Sequence, residues 1–130
     1  MTEPTDCGPD GPSARPAGEI LHGGMSRLGL RQLETGADLP QVVSWYELAP
    51  GGRCRRHVHN GKTETWLIVQ GTGQVEIGEA TMQVGPGDLV ITPPGTPHAL
   101  DNSGDTPLLL VNIVARHGAG PMTTQELEEE

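Results

Sequence analysis

Three residues near the middle of the chain combine the types and the spacing of metal ligands. They are His57, His59 and Glu64, within the stretch GGRCRRHVHNGKTETWLIVQG that runs from Gly51 to Gly71. Side chains alternate between the two faces of a β-strand, so His57 and His59 are expected to point the same way, about 7 Å apart. Asn60-Gly61 is a dipeptide favoured in tight hairpin turns. A hairpin there would bring the Glu64 carboxylate beside both imidazoles.

A second stretch, GDLVITPPGTPHALDN, offers a fourth ligand. His98 follows a predicted strand and a Pro-Pro-Gly turn, and the prolines restrict the backbone that leads to it. Three neutral imidazoles and one carboxylate suit a divalent ion such as Fe, Mn, Zn, Ni or Co, with coordination positions left for water or substrate. The predicted metal ligands are therefore His57, His59, Glu64 and His98.

Strand alternation also bears on the residues that precede the two histidines. Arg55 shares its parity with His57, so it is expected to face the same way, where its guanidinium could bind a substrate carboxylate or phosphate. A bulge or the end of the strand would instead turn Arg55 into solvent, and both alternatives are open. Cys54 then faces the other way and is interpreted as a small buried hydrophobic residue rather than a nucleophile.

Aromatic and amide side chains near the ligands are candidates for the substrate pocket. Trp66 shares its parity with Glu64 and is expected inside, as a core residue or as a substrate contact. On the preceding strand, alternation allows either Tyr46 or Trp45 to face inward, and Asn112 could reach the cavity from the last strand. The candidate catalytic residues are Glu64, Arg55 and Tyr46, and the candidate pocket residues are Trp45, Trp66 and Asn112.

The chain of 130 residues has the size of one domain that buries its own core. Residues 1–18 are rich in Pro, Gly, Ser and acidic residues and are expected to form a disordered leader. Residues 19–117 form the predicted folded domain. Residues 118–130 are expected to be an acidic flexible tail, in which TQELEEE could form a frayed helical turn. His22 and His117 lie outside both histidine stretches and are interpreted as surface residues.

Composition argues against several classes of function. The net charge is −9, Phe is absent, and no basic stripe or aromatic platform is present, so nucleic acid is not an expected partner. No window approaches the ~20 apolar residues needed to cross a bilayer and no signal peptide is recognisable, so no membrane association is expected. The two cysteines form no CxxC pair or disulfide framework, which favours a cytoplasmic location.

The middle of the chain is a series of short predicted strands. They are VVSWYELA, CRRHVH, ETWLIVQ, QVEIG, TMQV, DLVIT and PLLLVNIVA, separated by segments rich in Gly, Pro, Asn and Asp. Such segments supply the backbone angles of tight turns. Many short strands at close spacing predict an all-β sandwich or barrel. Met25 to Leu33 is interpreted as strand or loop.

The two histidine stretches together resemble the two motifs of the cupin superfamily. The first motif is matched by Gly51, His57, His59, Glu64 and Gly71. The second is matched by Gly87, Pro93-Pro94-Gly95, His98 and Asn102. The resemblance implies a single-domain double-stranded β-helix of the jelly-roll type, commonly a homodimer, with the metal inside one mouth of the barrel.

The resemblance implies a wide range of functions rather than one reaction. We expect a metal-dependent enzyme that acts on a small organic molecule, by oxygenase chemistry or by Lewis-acid lyase, isomerase or cyclase chemistry. Glu64 or a metal-bound hydroxide would move the proton. The alternative is a small-molecule binding or sensing protein without turnover, because function depends on the pocket lining rather than on the fold.

Overall fold

The computed structural model describes residues 18–29, 41–118 and 120–129, and over these ranges the chain forms strands and no helix. The leader expected at residues 1–18 therefore lies almost wholly outside the described residues, and so does the end of the Met25 to Leu33 segment. In chain order the strands are β1 (Ile20–Leu21), β2 (Met25–Leu28), β3 (Gln41–Leu48), β4 (Arg53–Asn60), β5 (Lys62–Gln70), β6 (Gly73–Ile77), β7 (Ala80–Val84), β8 (Leu89–Thr92), β9 (His98–Asn102), β10 (Leu108–Arg116) and β11 (Thr123–Glu126).

The strands form two antiparallel sheets. One has six strands in the order β1-β2-β3-β10-β5-β8, and the other has five in the order β11-β4-β9-β6-β7. Neighbours in both sheets are often distant in sequence, as in a double-stranded β-helix. The predicted all-β class is confirmed.

A single apolar core lies between the two sheets. The six-stranded sheet contributes Leu48, Trp66 and Leu110, and the five-stranded sheet contributes Cys54 and Leu100, all with no measurable exposure. Fully burying one large apolar side chain stabilises the fold by about 1.5–3 kcal/mol. Along a regular strand the side chains alternate between the core and the outside, so a polar ligand on an inward position shares the interior with the apolar core.

The connection between β4 and β5 differs from the expected hairpin. The two strands belong to different sheets, so Asn60-Gly61 forms a corner between the sheets rather than a turn within one. Gly61 has a φ of 76°, and a Cβ there would collide with the backbone oxygen of Pro121. A glycine is required for both reasons. The corner still brings Glu64 to the imidazoles, because both strands present these residues to the space between the sheets.

The acidic end of the chain contains a strand instead of the expected flexible tail with a helical turn. β11 pairs antiparallel with β4, with Glu126 opposite His57. The Arg55 guanidinium donates to Glu126 at 3.0 Å, and Arg53 Nε donates to Glu129 at 3.2 Å. Arginines on β4 thus face glutamates from the C-terminus, and β11 covers what would otherwise be an exposed sheet edge.

Candidate metal centre

The four predicted ligands lie together in the interior. β4 carries His57 and His59, β5 carries Glu64 and β9 carries His98, and each is at most 5% exposed. One ligand atom from each residue lies within 4.8 Å of the other three. Alternation places both β4 histidines inward, as predicted, and the register His57↔His98 brings β9 beside them. This group could hold a metal ion.

Each imidazole is oriented by a hydrogen bond at Nδ1. His57 Nδ1 lies 2.7 Å from the Arg55 carbonyl oxygen, and His98 Nδ1 lies 3.0 Å from the Thr96 carbonyl oxygen. Since a carbonyl only accepts, these Nδ1 atoms carry the proton and leave the Nε2 lone pairs for the centre. His59 Nδ1 lies 2.8 Å from the Thr124 hydroxyl, which can accept in the same way.

The three Nε2 atoms surround one carboxylate oxygen. Oε1 of Glu64 is 3.0 Å from Nε2 of His59 and 3.0 Å from Nε2 of His98. Nε2 of His57 is 4.0 Å away and has no hydrogen-bond partner although it is buried. A buried, unpartnered nitrogen is costly unless a ligand satisfies it, so the donor set fits a divalent cation.

Burial and mutual contact favour the forms of these residues that bind metal. Burial lowers the pKa of His57 from 6.5 to about 3, so the ring is neutral at physiological pH. For Glu64, burial alone would raise the carboxyl pKa, but the close contacts with the His59 and His98 rings outweigh it and lower the pKa below its usual range. A neutral imidazole and an ionised carboxylate are the states that a metal requires.

A cavity of about 330 Å³ opens beside the centre. Its wall contains two of the ligands, His59 and Glu64, together with Tyr46 and Asn112. Tyr46 is buried and faces inward, which resolves the choice between Tyr46 and Trp45, because Trp45 points to the other face of β3 and does not line this cavity. The remaining lining residues are Leu21, His22, Arg27, Val42, Ser44, Lys62, Val114, Met122 and Thr124.

Of the two other candidate pocket residues, Trp66 lies in the core and Asn112 lies at the cavity. Trp66 is fully buried, and its ring packs edge-on against His98 with centroids 5.5 Å apart, but it does not line the cavity. It therefore supports a ligand as a core residue, the first of its two predicted roles. Asn112 does line the cavity, and its side-chain oxygen is buried without a hydrogen-bond partner.

Arg55 lies outside the cavity. A register shift between Cys54 and His57 breaks the alternation of β4, so the parity argument fails there. The Arg55 side chain is 52% exposed and pairs with Glu126, while Cys54 is fully buried on the same side as His57. The expectation that Arg55 faces the metal and Cys54 faces away is wrong, and the solvent-facing alternative holds. Burial raises the pKa of the Cys54 thiol, consistent with an inert core residue.

Residues outside both motifs also reach the site. The His22 ring stacks on His57 with centroids 3.6 Å apart and planes 7° from parallel, so His22 is not the surface residue expected. Its carbonyl accepts a hydrogen bond from Arg55 N at 2.9 Å, which holds the β1–β2 turn against β4. Arg27 and Thr124 join it at the cavity. No spacing rule in the sequence connects these residues with the histidine stretches, because tertiary pairing brings them together.

Comparison with known proteins agrees with this architecture. A family model described as a cupin domain matches residues 44–114, which is more than half of the chain. The chain belongs to the cupin family. A germin-like protein, subfamily T member 3, from Arabidopsis thaliana is 31% identical over 114 residues, covering 82% of this cupin and 44% of that protein.

Two further proteins match different shares of this cupin, one in sequence and one in structure. The mannose-1-phosphate guanylyltransferase RfbM of Salmonella typhimurium is 39% identical over 72 residues, covering 55% of this cupin and 15% of that protein. This cupin thus spans less than half the length of either relative. A predicted oxalate decarboxylase from Thermotoga maritima matches in structure with a TM-score of 0.68 and 20% identity, over 78% of this chain and 90% of that chain. At that identity the match shows the fold alone.

Within the described ranges, this cupin has no helix with the length and hydropathy needed to span a bilayer.

Asn102, a residue of the second motif, has a structural role. Asn102 is buried and donates from Nδ2 to the carbonyls of Leu48 at 2.9 Å and Thr106 at 2.8 Å. Its Oδ1 accepts from Gly104 N at 2.9 Å. Asn102 therefore ties the end of β9 to β3 and to the following loop, away from the metal centre.

Proposed function

We propose that this cupin is a metal-dependent enzyme that converts a small organic molecule. The observation that supports the proposal most is the convergence of three imidazoles and one carboxylate on a single point at the wall of a cavity. The volume of about 330 Å³ suits a small ligand. A bound divalent ion would act as a Lewis acid on a substrate oxygen or, if it is iron or manganese, support oxygenase chemistry.

The protein residues would then bind the substrate and move its protons. The Tyr46 hydroxyl faces the cavity and can donate a hydrogen bond to a substrate oxygen. Glu64 is ionised and lies at the centre, so it can accept a proton from a substrate carbon or hydroxyl within reach. Val42, Val114 and Met122 supply apolar wall that limits water around the reacting atoms.

The backbone of Glu64 is held in place for this role. The Thr92 hydroxyl donates to the Glu64 carbonyl oxygen at 3.1 Å, and Glu64 lies opposite both Thr92 and Val114 in its sheet. A carboxylate on a paired central strand keeps its position more accurately than one on a loop. Lyase, isomerase or cyclase chemistry with a redox-inactive ion, and oxygenase chemistry with iron or manganese, both use this arrangement.

Elemental analysis of protein purified without a metal-affinity tag tests the proposal. We expect about one divalent ion per chain, lost in His59→Ala and retained in His117→Ala, a matched change at an exposed histidine. Iron or manganese would indicate oxygen chemistry, and zinc would indicate lyase, isomerase or cyclase chemistry. A wild-type protein that binds no divalent ion would overturn the proposal.

A further inference from the structure

Two cationic side chains line the cavity beside the metal centre. They are Arg27, from β2, and Lys62, the first residue of β5. Glu64 is the carboxylate among the described lining residues, and it belongs to the metal centre. With a divalent ion bound, the cavity is therefore positive, and a positive, partly enclosed cavity attracts an anion.

Arg27 is held so that its guanidinium reaches the cavity. Its side chain is 18% exposed, and Nη2 lies 3.4 Å from the Tyr46 hydroxyl, which also lines the cavity. Nε lies 3.0 Å from Glu19, whose side chain is 50% exposed and which does not line the cavity. Nε is buried and makes no hydrogen bond, and Glu19 is half exposed, so this contact leaves the guanidinium able to bind a second anion.

The side chain of Asn112 places a second requirement on the ligand, in addition to negative charge. It is 3% exposed and lines the cavity, and its Oδ1 has no hydrogen-bond partner. Asn112 lies opposite Ser44 and Trp66 in the sheet, so its amide is fixed on an interior row. A buried oxygen acceptor without a donor is costly, and a ligand hydroxyl placed there would satisfy it.

We propose that the substrate is a small organic anion that also carries a hydroxyl group. Arg27 and Lys62 bind its carboxylate or phosphate, Asn112 accepts from its hydroxyl, and its remaining oxygens lie at the metal centre. The inference rests on the proposed function and specifies its substrate class. It also replaces Arg55, the cation expected from the sequence, with an arginine from a strand outside both motifs.

Four probes separate the features of this ligand in titration calorimetry with the zinc-loaded full chain. Malate has two carboxylates and a hydroxyl, butane-1,2,4-triol has the same skeleton without charge, succinate lacks the hydroxyl, and glycerol 3-phosphate carries phosphate in place of carboxylate. We expect malate or glycerol 3-phosphate to bind at least about tenfold more tightly than the triol, and malate more tightly than succinate. Whichever anion binds more tightly identifies the charged group. Zinc content measured after each titration distinguishes binding from metal removal.

Substitutions test which cavity residues give the preference for an anion with a hydroxyl group. Arg27→Met keeps most of the side-chain volume and should weaken binding of the preferred anion about tenfold or more without changing triol binding, whereas Arg55→Met should bind as the wild type does. Lys62→Met, at a partly exposed position, tests the same charge effect if Arg27→Met does not fold. Asn112→Ala should reduce the preference for malate over succinate.

The outcomes separate this inference from the proposed function. Equal affinity for the anions and the triol, or full anion affinity in both Arg27→Met and Lys62→Met, would overturn the inference while leaving the metal centre intact. Failure of the wild-type chain to bind any divalent ion would instead remove the proposed function itself.

Discussion

The Thr124 hydroxyl lies 2.8 Å from Nδ1 of His59, so the C-terminal strand contacts a predicted metal ligand directly. Thr124 is opposite His59 in the β11–β4 register, and this pairing sets the distance. The other two imidazoles are oriented by backbone carbonyls within their own segments. Among the three, only His59 has its Nδ1 hydrogen-bonded to a side chain.

Thr124→Val should lower metal affinity by about tenfold or more, because residues that orient a ligand histidine typically contribute 10- to 100-fold. Competition with a chromophoric chelator would measure it. Thr124→Ser keeps the hydroxyl and should retain near wild-type affinity, and Thr123→Val is the matched control on the same strand. If Thr124→Val binds metal as tightly as Thr123→Val, the hydrogen bond does not orient His59.

The metal-free protein should lose stability as the pH falls below about 6.5. A histidine has an ordinary pKa of 6.5, which applies to the unfolded chain. Burial of the His57 ring lowers its pKa to about 3 in the folded protein. Between these values the unfolded chain binds a proton that the folded chain does not, so the free energy of unfolding decreases as the pH falls. Glu64 acts in the same direction below its usual pKa range, since its folded pKa is lowered.

Thermal unfolding of chelator-treated protein at several pH values would measure this dependence. His57→Asn removes the titrating ring, so its unfolding temperature should change less between pH 7 and pH 4 than that of the wild type. An unfolding temperature that is flat over this range in the wild type would contradict the assignment of a buried neutral His57.

Asn102→Ala should lower the free energy of unfolding by about 2–4 kcal/mol, because it leaves the partners of three hydrogen bonds unsatisfied in a buried position. Chemical denaturation would measure the loss, with Ser103→Ala at the neighbouring exposed position as the control. The metal content of the folded fraction should stay unchanged, since Asn102 does not contact the ligands. A loss of metal without a loss of stability would show that its role is at the centre instead.

We propose that this cupin forms a homodimer through the outer face of its six-stranded sheet. Leu67 and Leu89 lie opposite each other on β5 and β8 and are 37% and 56% exposed, and Val69 and Ile91 on the same face are 43% and 53% exposed. An apolar patch at a sheet edge is typically covered, and a second copy presents the same patch.

Sedimentation analysis at micromolar concentration should give the mass of a dimer for the wild type. Leu67→Lys with Ile91→Lys should give a monomer, whereas Met82→Lys, at an exposed apolar residue on the other sheet, should leave the dimer intact. A monomeric wild type would contradict this proposal and would not affect the metal centre.

The sequence alone determined the fold class and the four candidate ligands. Alternation is a local property of any strand, so the common direction of His57 and His59 could be read without knowing which strands pair. The turns at Asn60-Gly61 and Pro93-Pro94-Gly95 pointed to Glu64 and His98, and the resemblance to the cupin motifs implied the same four ligands. The same local rule correctly placed Trp66 inside, because β5 is regular between Glu64 and Trp66.

Only the tertiary structure decided which other residues meet the ligands. A register shift in β4 turned Arg55 outward, and a bulge depends on the partner strand rather than on local spacing. His22, Arg27 and Thr124 reach the site through the β1–β2 turn and the β11–β4 pairing, which join segments far apart along the chain. Local periodicity predicts the direction of a side chain along one strand, whereas its neighbours across the sheet are set by long-range pairing, which such periodicity does not encode.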